Sequence, residues 1–410
     1  MIFMIPKEDL RWYLFEETIK MYSKNGRSNY EKHRYKDLNR FLSDYYIIKS
    51  VGIASKASYK ISKVFNKQEN DILVHDLLCR YPSIIRQLEL NYNPLFFGIN
   101  IKPFFKSLRR KINYYPLYDV YKDLYKGVLD YDDDQLMDSF QNLKSIVKKI
   151  NPKLIILNHD FTTDVKLMTL VASELDVPTV EIQHGMYSGK DRMLSGNYVD
   201  YVFVWGKYFQ DLYLNSKTSR KREIRILGYP YSVQKDKYGD YNKRVVYLGQ
   251  PLELYGDSYL ERKRDIIEEL SGICDGLGFE LVYRKHPSED LDWLRLNLPG
   301  VNFTTESETL EETIKNNDIF ISFNSTALIE SALNSKMSVQ LINYDIPTDD
   351  FEELGICRSF TSLTELKEFL KELKTLDDVK RHYSSVDPYY IEIPSPSPGE
   401  KFIELIKEIL

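Results

Sequence analysis

The chain lacks most of the features that would assign it quickly to a class. Its 3 cysteines, Cys79, Cys274 and Cys357, are far apart and odd in number, which argues against a disulfide framework and a cysteine metal site. No apolar run reaches the roughly 18 residues that a membrane-spanning helix needs. The opening stretch MIFMIPKEDLRWYLFEE meets acidic residues too early for a signal peptide, so a cytoplasmic protein is expected. Charge of one sign is also missing: 56 Lys and Arg stand against 61 Asp and Glu, a net charge of −5, and no nucleic-acid partner is indicated. There is no HExxH, no pair of cysteines or pair of histidines at metal-ligand spacing, no Walker loop and no Rossmann glycine fingerprint, since Gly272, Gly276 and Gly278 fall at a helix end. Neither ATP hydrolysis nor dinucleotide redox chemistry is supported, and no metal or cofactor is expected.

What the chain does have is 410 residues with a hydrophobic fraction of 43%, enough for two domains. Residues 1–150 read as helical, rich in Lys and Tyr, as in SLRRKINYYPLYDVYKDLYKGVLD. The basic cluster Lys106, Arg109, Arg110 and Lys111 fits an acceptor, an anionic membrane surface with peripheral association, or an ordinary solvated helix face. In the acidic run from Asp130 to Asp134, Asp134 is expected to cap the helix QLMDSFQNLKSIVKKI rather than hold a metal.

From Asn151 the pattern becomes strand–helix alternation: LIILN, DVKLMTLVASELDV, TVEIQ, YVFVW, KYFQDLYLN, IRILGYP. Apolar strands in that order predict a parallel sheet covered on both faces. A polar stretch from Tyr231 to Arg244 reads as a linker, after which RVVYLGQ, FELVYRKHP, VNFTT, NDIFISF and SVQLINY alternate with helices up to TELKEFLKELK. The expected organisation is α/β. An N-terminal acceptor-side domain spans 1–235, helical over 1–150 and α/β over 151–235. A nucleotide-sugar donor domain spans 236–395, and a helix at 396–410 crosses the domain junction.

In an open parallel sheet, ligands bind beyond the carboxyl ends of the strands. Four predicted strand ends carry polar groups: Asn158, His159 and Asp160; Gln183, His184 and Gly185; Lys285, His286 and Pro287; and Asn324, Ser325 and Thr326. If the two halves face each other, these line one cleft, an arrangement suited to a nucleotide sugar in one half and an acceptor in the other. His184, between an apolar strand and a glycine, is the candidate proton acceptor, against a purely structural histidine bonded to backbone. His286 beside Lys285 can donate hydrogen bonds to a departing phosphate, and Pro287 fixes the exit of the chain. Ser325 and Thr326 can cap the next helix and also serve a phosphate, and Glu330 can reach a ribose hydroxyl. Asp160 is a helix cap or a second candidate base, while His159, Gln183 and Gly185 are assigned to the acceptor side. His33, His75 and His382 receive no role.

The order VPTVEIQHGMY, DYVFVWGKYFQDLY, IRILGYP, YRKHPSED and DIFISFNSTALIESAL resembles bacterial surface-polysaccharide transferases over residues 150–345. These are the capsule and lipopolysaccharide sialyl- and Kdo-transferases that use CMP-sugars, and the CDP-glycerol glycerophosphotransferases of teichoic acid synthesis. The resemblance implies a GT-B-like fold of two Rossmann-like domains facing across a cleft. It also implies a metal-independent transfer from a nucleotide donor, a CMP-sugar first, to a surface-glycan or lipid-linked acceptor. It puts the nucleotide on His286, Pro287, Ser325 and Thr326. The base is His184 with Gly185 in the glycerophosphotransferase branch, and an acidic residue in the sialyltransferase branch, for which Asp160 is the nearest candidate.

Overall fold

The computed structural model describes residues 71–98, 113–130, 132–160, 162–185, 198–215, 222–231, 233, 241–252, 257–287, 289, 291–305, 307–342, 344, 350–383 and 386–410. They fall into two compact units: the described residues up to Ser232 together with Ile391–Leu410, and Val233–Tyr390. The basic cluster Lys106, Arg109, Arg110 and Lys111 lies outside the described residues.

The first unit runs β1 (Ile72–His75), a 3-10 turn (Asp76–Arg80), α1 (Pro82–Asn91), β2 (Pro94–Gly98), β3 (Asn113–Pro116), α2 (Tyr118–Asp130), α3 (Asp133–Ile150) and β4 (Leu154–Leu157). It continues with α4 (Thr163–Glu174), β5 (Thr179–Ile182), β6 (Tyr201–Val204), α5 (Lys207–Asn215) and β7 (Glu223–Ile226). The second runs β8 (Arg244–Leu248), α6 (Asp257–Leu277), β9 (Glu280–Arg284), α7 (Leu291–Asn297), β10 (Asn302–Phe303), α8 (Leu310–Asn316) and β11 (Ile319–Ser322). It closes with α9 (Ala327–Leu333), β12 (Met337–Leu341), β13 (Arg358–Phe360), α10 (Leu363–Leu370) and α11 (Leu376–Lys380), after which α12 (Pro398–Lys407) belongs to the first unit.

Each unit is built on one parallel sheet, ordered β3-β2-β1-β4-β5-β6-β7 in the first and β10-β9-β8-β11-β12-β13 in the second. Both orders place the first strand in the middle and reverse direction beside it, the Rossmann arrangement. The reversal lies between β1 and β4 in one sheet and between β8 and β11 in the other, and ligand crevices form there. The runs ILV, LIIL and IFI form such strands because they are buried on both faces, as parallel strands covered by helices must be.

On one face of the first sheet, Ile72, Val74, Leu154, Ile156, Val180 and Ile182 pack with Ile84, Ile85 and Leu88 of α1 and Phe402, Ile403 and Ile406 of α12. Each such large side chain, fully buried, contributes roughly 1.5–3 kcal/mol. Helix α12 is docked closely: a Cβ added at Gly399 would stand 2.8 Å from both Gln87 Cγ and the Ser83 carbonyl carbon, so only glycine lets α12 start there. The Gly399 amide donates to Ser83 Oγ at 3.1 Å, and Arg225 donates to the Leu405 carbonyl at 2.9 Å.

Of the stretch expected to be helical, residues 1–70 lie outside the described residues; over 71–150 the expectation is corrected, because β1, β2 and β3 contribute three neighbouring strands to the sheet. They lie in a Lys- and Tyr-rich stretch without the regular strand–helix alternation that marks the later strands. The cap of α3 is Asp132, whose carboxylate accepts the Gln135 amide at 3.0 Å, while Asp133 and Asp134 sit in the first turn. Among the described residues no helix is long and apolar enough to cross a membrane.

Candidate functional site

In the second unit the polar ends of three adjacent strands are tied together. After β8, the Gly249 amide donates to the Arg284 carbonyl at 2.8 Å. The next residue, Gln250, accepts the Asn324 amide at 3.0 Å and the Ser322 hydroxyl at 3.3 Å through Oε1, and donates through Nε2 to the Asn324 side chain. Ser322 also donates to the Leu248 carbonyl at 2.7 Å. The β11 end is thus fastened to β8 at the point where the sheet reverses. Beyond it, Ser325 Oγ accepts the Ala327 amide at 3.3 Å, and Thr326 is the N-cap residue of α9 without using its hydroxyl as a cap. Glu330 lies one turn in, where its charge reaches Arg284, which donates to the Glu308 carbonyl at 3.1 Å and to Thr313 Oγ1 at 2.7 Å. Burial pushes the Arg284 guanidinium below its usual pKa, and Glu308, Glu330 and Glu312 oppose that.

Lys285, His286 and Pro287 leave the end of β9 in a tight turn closed by the Glu289 amide donating to the His286 carbonyl at 3.0 Å. Proline at the second position suits that turn, since its fixed φ is the one required. The Lys285 ammonium rests on the turn carbonyls, 3.5 Å from that of His286 and 3.3 Å from that of Glu289.

In the first unit three imidazoles stand in a row across neighbouring strand ends. His75 ends β1, His159 follows β4 and His184 follows β5, with ring centroids 5.9 Å and 5.6 Å apart. His75 is buried at 4% exposure rather than lying in a polar loop, and its ring meets Phe97 at 5.3 Å. Sequence reasoning missed it because β1 was not read as a strand. The only signal was ILV before a histidine. The His184 ring donates to the Asn158 backbone carbonyl, yet burial and the positive charge of Arg80 together push its pKa down to about 3. His184 is therefore neutral at pH 7, with one ring nitrogen donating and the other carrying a lone pair. Neither end of the Asn158 side-chain amide, which is fully buried, has a hydrogen-bond partner among the described residues.

Two of the expected site residues turn out to be committed to the fold. Gln183 spends its whole amide joining β5 to β6: Oε1 accepts the Trp205 amide at 3.0 Å, Nε2 donates to the Gly185 carbonyl at 2.8 Å, and the Gln183 carbonyl accepts the Trp205 indole at 2.9 Å. Asp160 does not cap α4, whose N-cap is Thr162. It is fully buried, accepts the Tyr198 amide at 2.6 Å, and attracts the half-buried Arg222, whose pKa burial lowers. The bond to the Tyr198 amide ties this carboxylate to the chain 38 residues further on. Among the described residues no group of three or more His, Cys, Asp or Glu side chains is arranged to hold a metal.

No family model matches the chain, and no curated protein matches it. Solved structures do. S. aureus MnaA, solved with UDP, superposes with a TM-score of 0.59 at 15% identity over 83% of this chain and 96% of its own. The UDP-GlcNAc 2-epimerase of Methanocaldococcus jannaschii, solved with UDP-GlcNAc and UDP, gives 0.56 at 16% identity, covering 82% and 99%. The fold is of the GT-B type. Acinetobacter baumannii MurG shares it, with a TM-score of 0.51 at 9% identity over 83% of this chain and 99% of its own. Identities this low carry the architecture of two Rossmann-like domains and not the activity.

Proposed function

We propose that this GT-B chain is a metal-independent glycosyltransferase acting on a nucleotide sugar, with the nucleotide held by the second unit. The observation that supports the reading is the cross-linking of the β9 end to β8 and of the β8 end to β11, the carboxyl edge of the sheet after which Lys285, His286 and Asn324–Thr326 follow in sequence. Lys285 and His286 neutralise the leaving phosphate, Pro287 fixes their turn, Ser325 and Thr326 supply hydroxyl groups to it, and Glu330 takes a ribose hydroxyl. In the transfer, the acceptor oxygen bonds to the anomeric carbon while the bond from that carbon to phosphate oxygen breaks and the nucleotide leaves with the electron pair. The acceptor proton goes to His184, whose ring is neutral and has a lone pair. His159 and Gly185 lie beside it on the acceptor side.

CMP-sugars are the first donors to test, on the sequence resemblance, and a surface glycan or lipid-linked glycan is the acceptor class. The test is a screen of CMP-, CDP-, UDP- and GDP-linked donors with EDTA present. Binding or turnover that His286→Ala lowers is expected, and no binding to any donor refutes the reading. A second reading, a UDP-sugar epimerase, is favoured by the likeness in fold to the UDP-GlcNAc 2-epimerase of M. jannaschii. The same screen separates the two, because an epimerase converts its donor without an acceptor and without net nucleotide release. A CDP-polyol phosphotransferase instead leaves a phosphodiester in the product, and a non-catalytic assembly subunit turns over nothing.

A further inference from the structure

Glu289 is 5% exposed and lies three residues beyond His286, outside every pair of residues so far given a chemical role. Its carboxylate is fully engaged. Oε1 accepts the Lys263 ammonium at 2.7 Å and the Tyr283 hydroxyl at 2.7 Å, and Oε2 accepts the His286 amide at 2.6 Å. The Glu289 amide returns a bond to the His286 carbonyl at 3.0 Å. The turn is therefore held from both ends, much as a capping box holds the first turn of a helix. The Lys263–Glu289 pair is buried, with both side chains 1% exposed, and joins the turn to α6. The carboxylate fills the space over Gly249, where an added Cβ would stand 2.6 Å from Tyr283 Cε1 and 2.7 Å from its hydroxyl, and closer still to Glu289 Oε2.

We propose that Glu289 is a positioning residue that fixes the Lys285–His286 turn in the conformation that meets a nucleotide phosphate. It touches no ligand itself. A buried ion pair is a poor source of net stability against an apolar pair of the same shape. Its directional use here is to hold one backbone amide and, through the carbonyls of the same turn, the Lys285 ammonium. The spacing His-Pro-x-Glu was the signal in the sequence. Proline sets the turn, and the fourth residue supplies the acceptor that closes it. The role in binding rests on the reading of the second unit as the nucleotide-holding one, while the placement of the turn does not.

The test uses the full chain with Glu289→Gln and with the double variant Lys263→Met/Glu289→Gln. A glutamine has one acceptor where the carboxylate has two, so it cannot satisfy Lys263, Tyr283 and the His286 amide together. Amide-exchange mass spectrometry of the peptide covering 284–289 is expected to show exchange at His286 accelerated about tenfold or more in both variants. In the double variant the stranded lysine charge is gone and the thermal midpoint recovers, but the affinity for CMP or UDP, by calorimetry, stays about 10- to 100-fold below that of the natural chain. Recovery of affinity together with stability would show a merely structural role and overturn the proposal. Unchanged exchange at His286 overturns it too, whether or not nucleotide binds. A natural chain that binds no nucleotide refutes the functional reading instead, and the exchange result then decides the placement of the turn alone.

Discussion

The pKa of His184 makes a quantitative prediction about acid. In the folded chain burial and Arg80 hold it at about 3, against 6.5 for an ordinary histidine. Between those values the unfolded chain binds a proton that the folded chain does not. This share of stability is complete above pH 6.5 and is lost as pH falls toward 3, at up to about 1.4 kcal/mol per pH unit. Going from pH 7 to pH 5 therefore costs about 2 kcal/mol for a fully enclosed ring, and about 1–2 kcal/mol once the partial solvent access of the residue is allowed for. His184→Asn keeps a donor for the Asn158 carbonyl and removes the titration. Urea unfolding at pH 7, 6 and 5 is expected to give the natural chain a steeper loss of stability than His184→Asn by that amount. Histidine labelled with carbon-13 at Cε1 gives the direct readout, with the variant identifying the His184 signal. A midpoint near 6.5 refutes the enclosure of the ring by burial and the influence of Arg80.

Three further outcomes follow from packing and burial. Gly249→Ala forces a methyl group against Tyr283 and Glu289, which costs about 1–3 kcal/mol of overpacking, read as a lowered urea midpoint with an unchanged slope. Lys263→Met leaves Glu289 charged and unpaired in a dry site, so a loss of about 3–5 kcal/mol is expected, most of it recovered when Glu289→Gln is added. Thiol labelling of the folded chain should proceed first at the half-buried Cys79. Burial pushes the Cys274 thiol up to about 12 and raises that of Cys357, so rapid alkylation of either would contradict the structure.

Most strands after Asn151 were legible because each is a largely apolar run followed by a polar group at which the chain turns; β13, three residues that begin with Arg358, was not read. The polar groups predicted at those four ends do follow strands β4, β5, β9 and β11. Strands β1 to β3 are no shorter than β4 to β6, but they lie in a Lys- and Tyr-rich stretch that lacks the regular strand–helix alternation by which the later strands were read. His75 was hidden with them. Long-range pairing also escaped the sequence: nothing local marks Gln183 as the partner of Trp205, 22 residues away, or Gln250 as the partner of Asn324, 74 away. In the acidic run, Asp132 caps and Asp134 does not, a choice among adjacent aspartates that depends on which backbone leaves the helical region first.

Helix α12 has a consequence for synthesis. The second unit is one uninterrupted segment, whereas the first needs residues from 391 onward. On the ribosome, the face formed by Ile72, Ile156 and Phe203 must wait through the whole of the second unit before Phe402 and Ile406 arrive to cover it. At about 5–20 residues per second, that wait lasts on the order of ten to thirty seconds. The first unit to begin emerging is thus the last to be completed, and during that interval its open apolar face is the part of the nascent chain most in need of a chaperone.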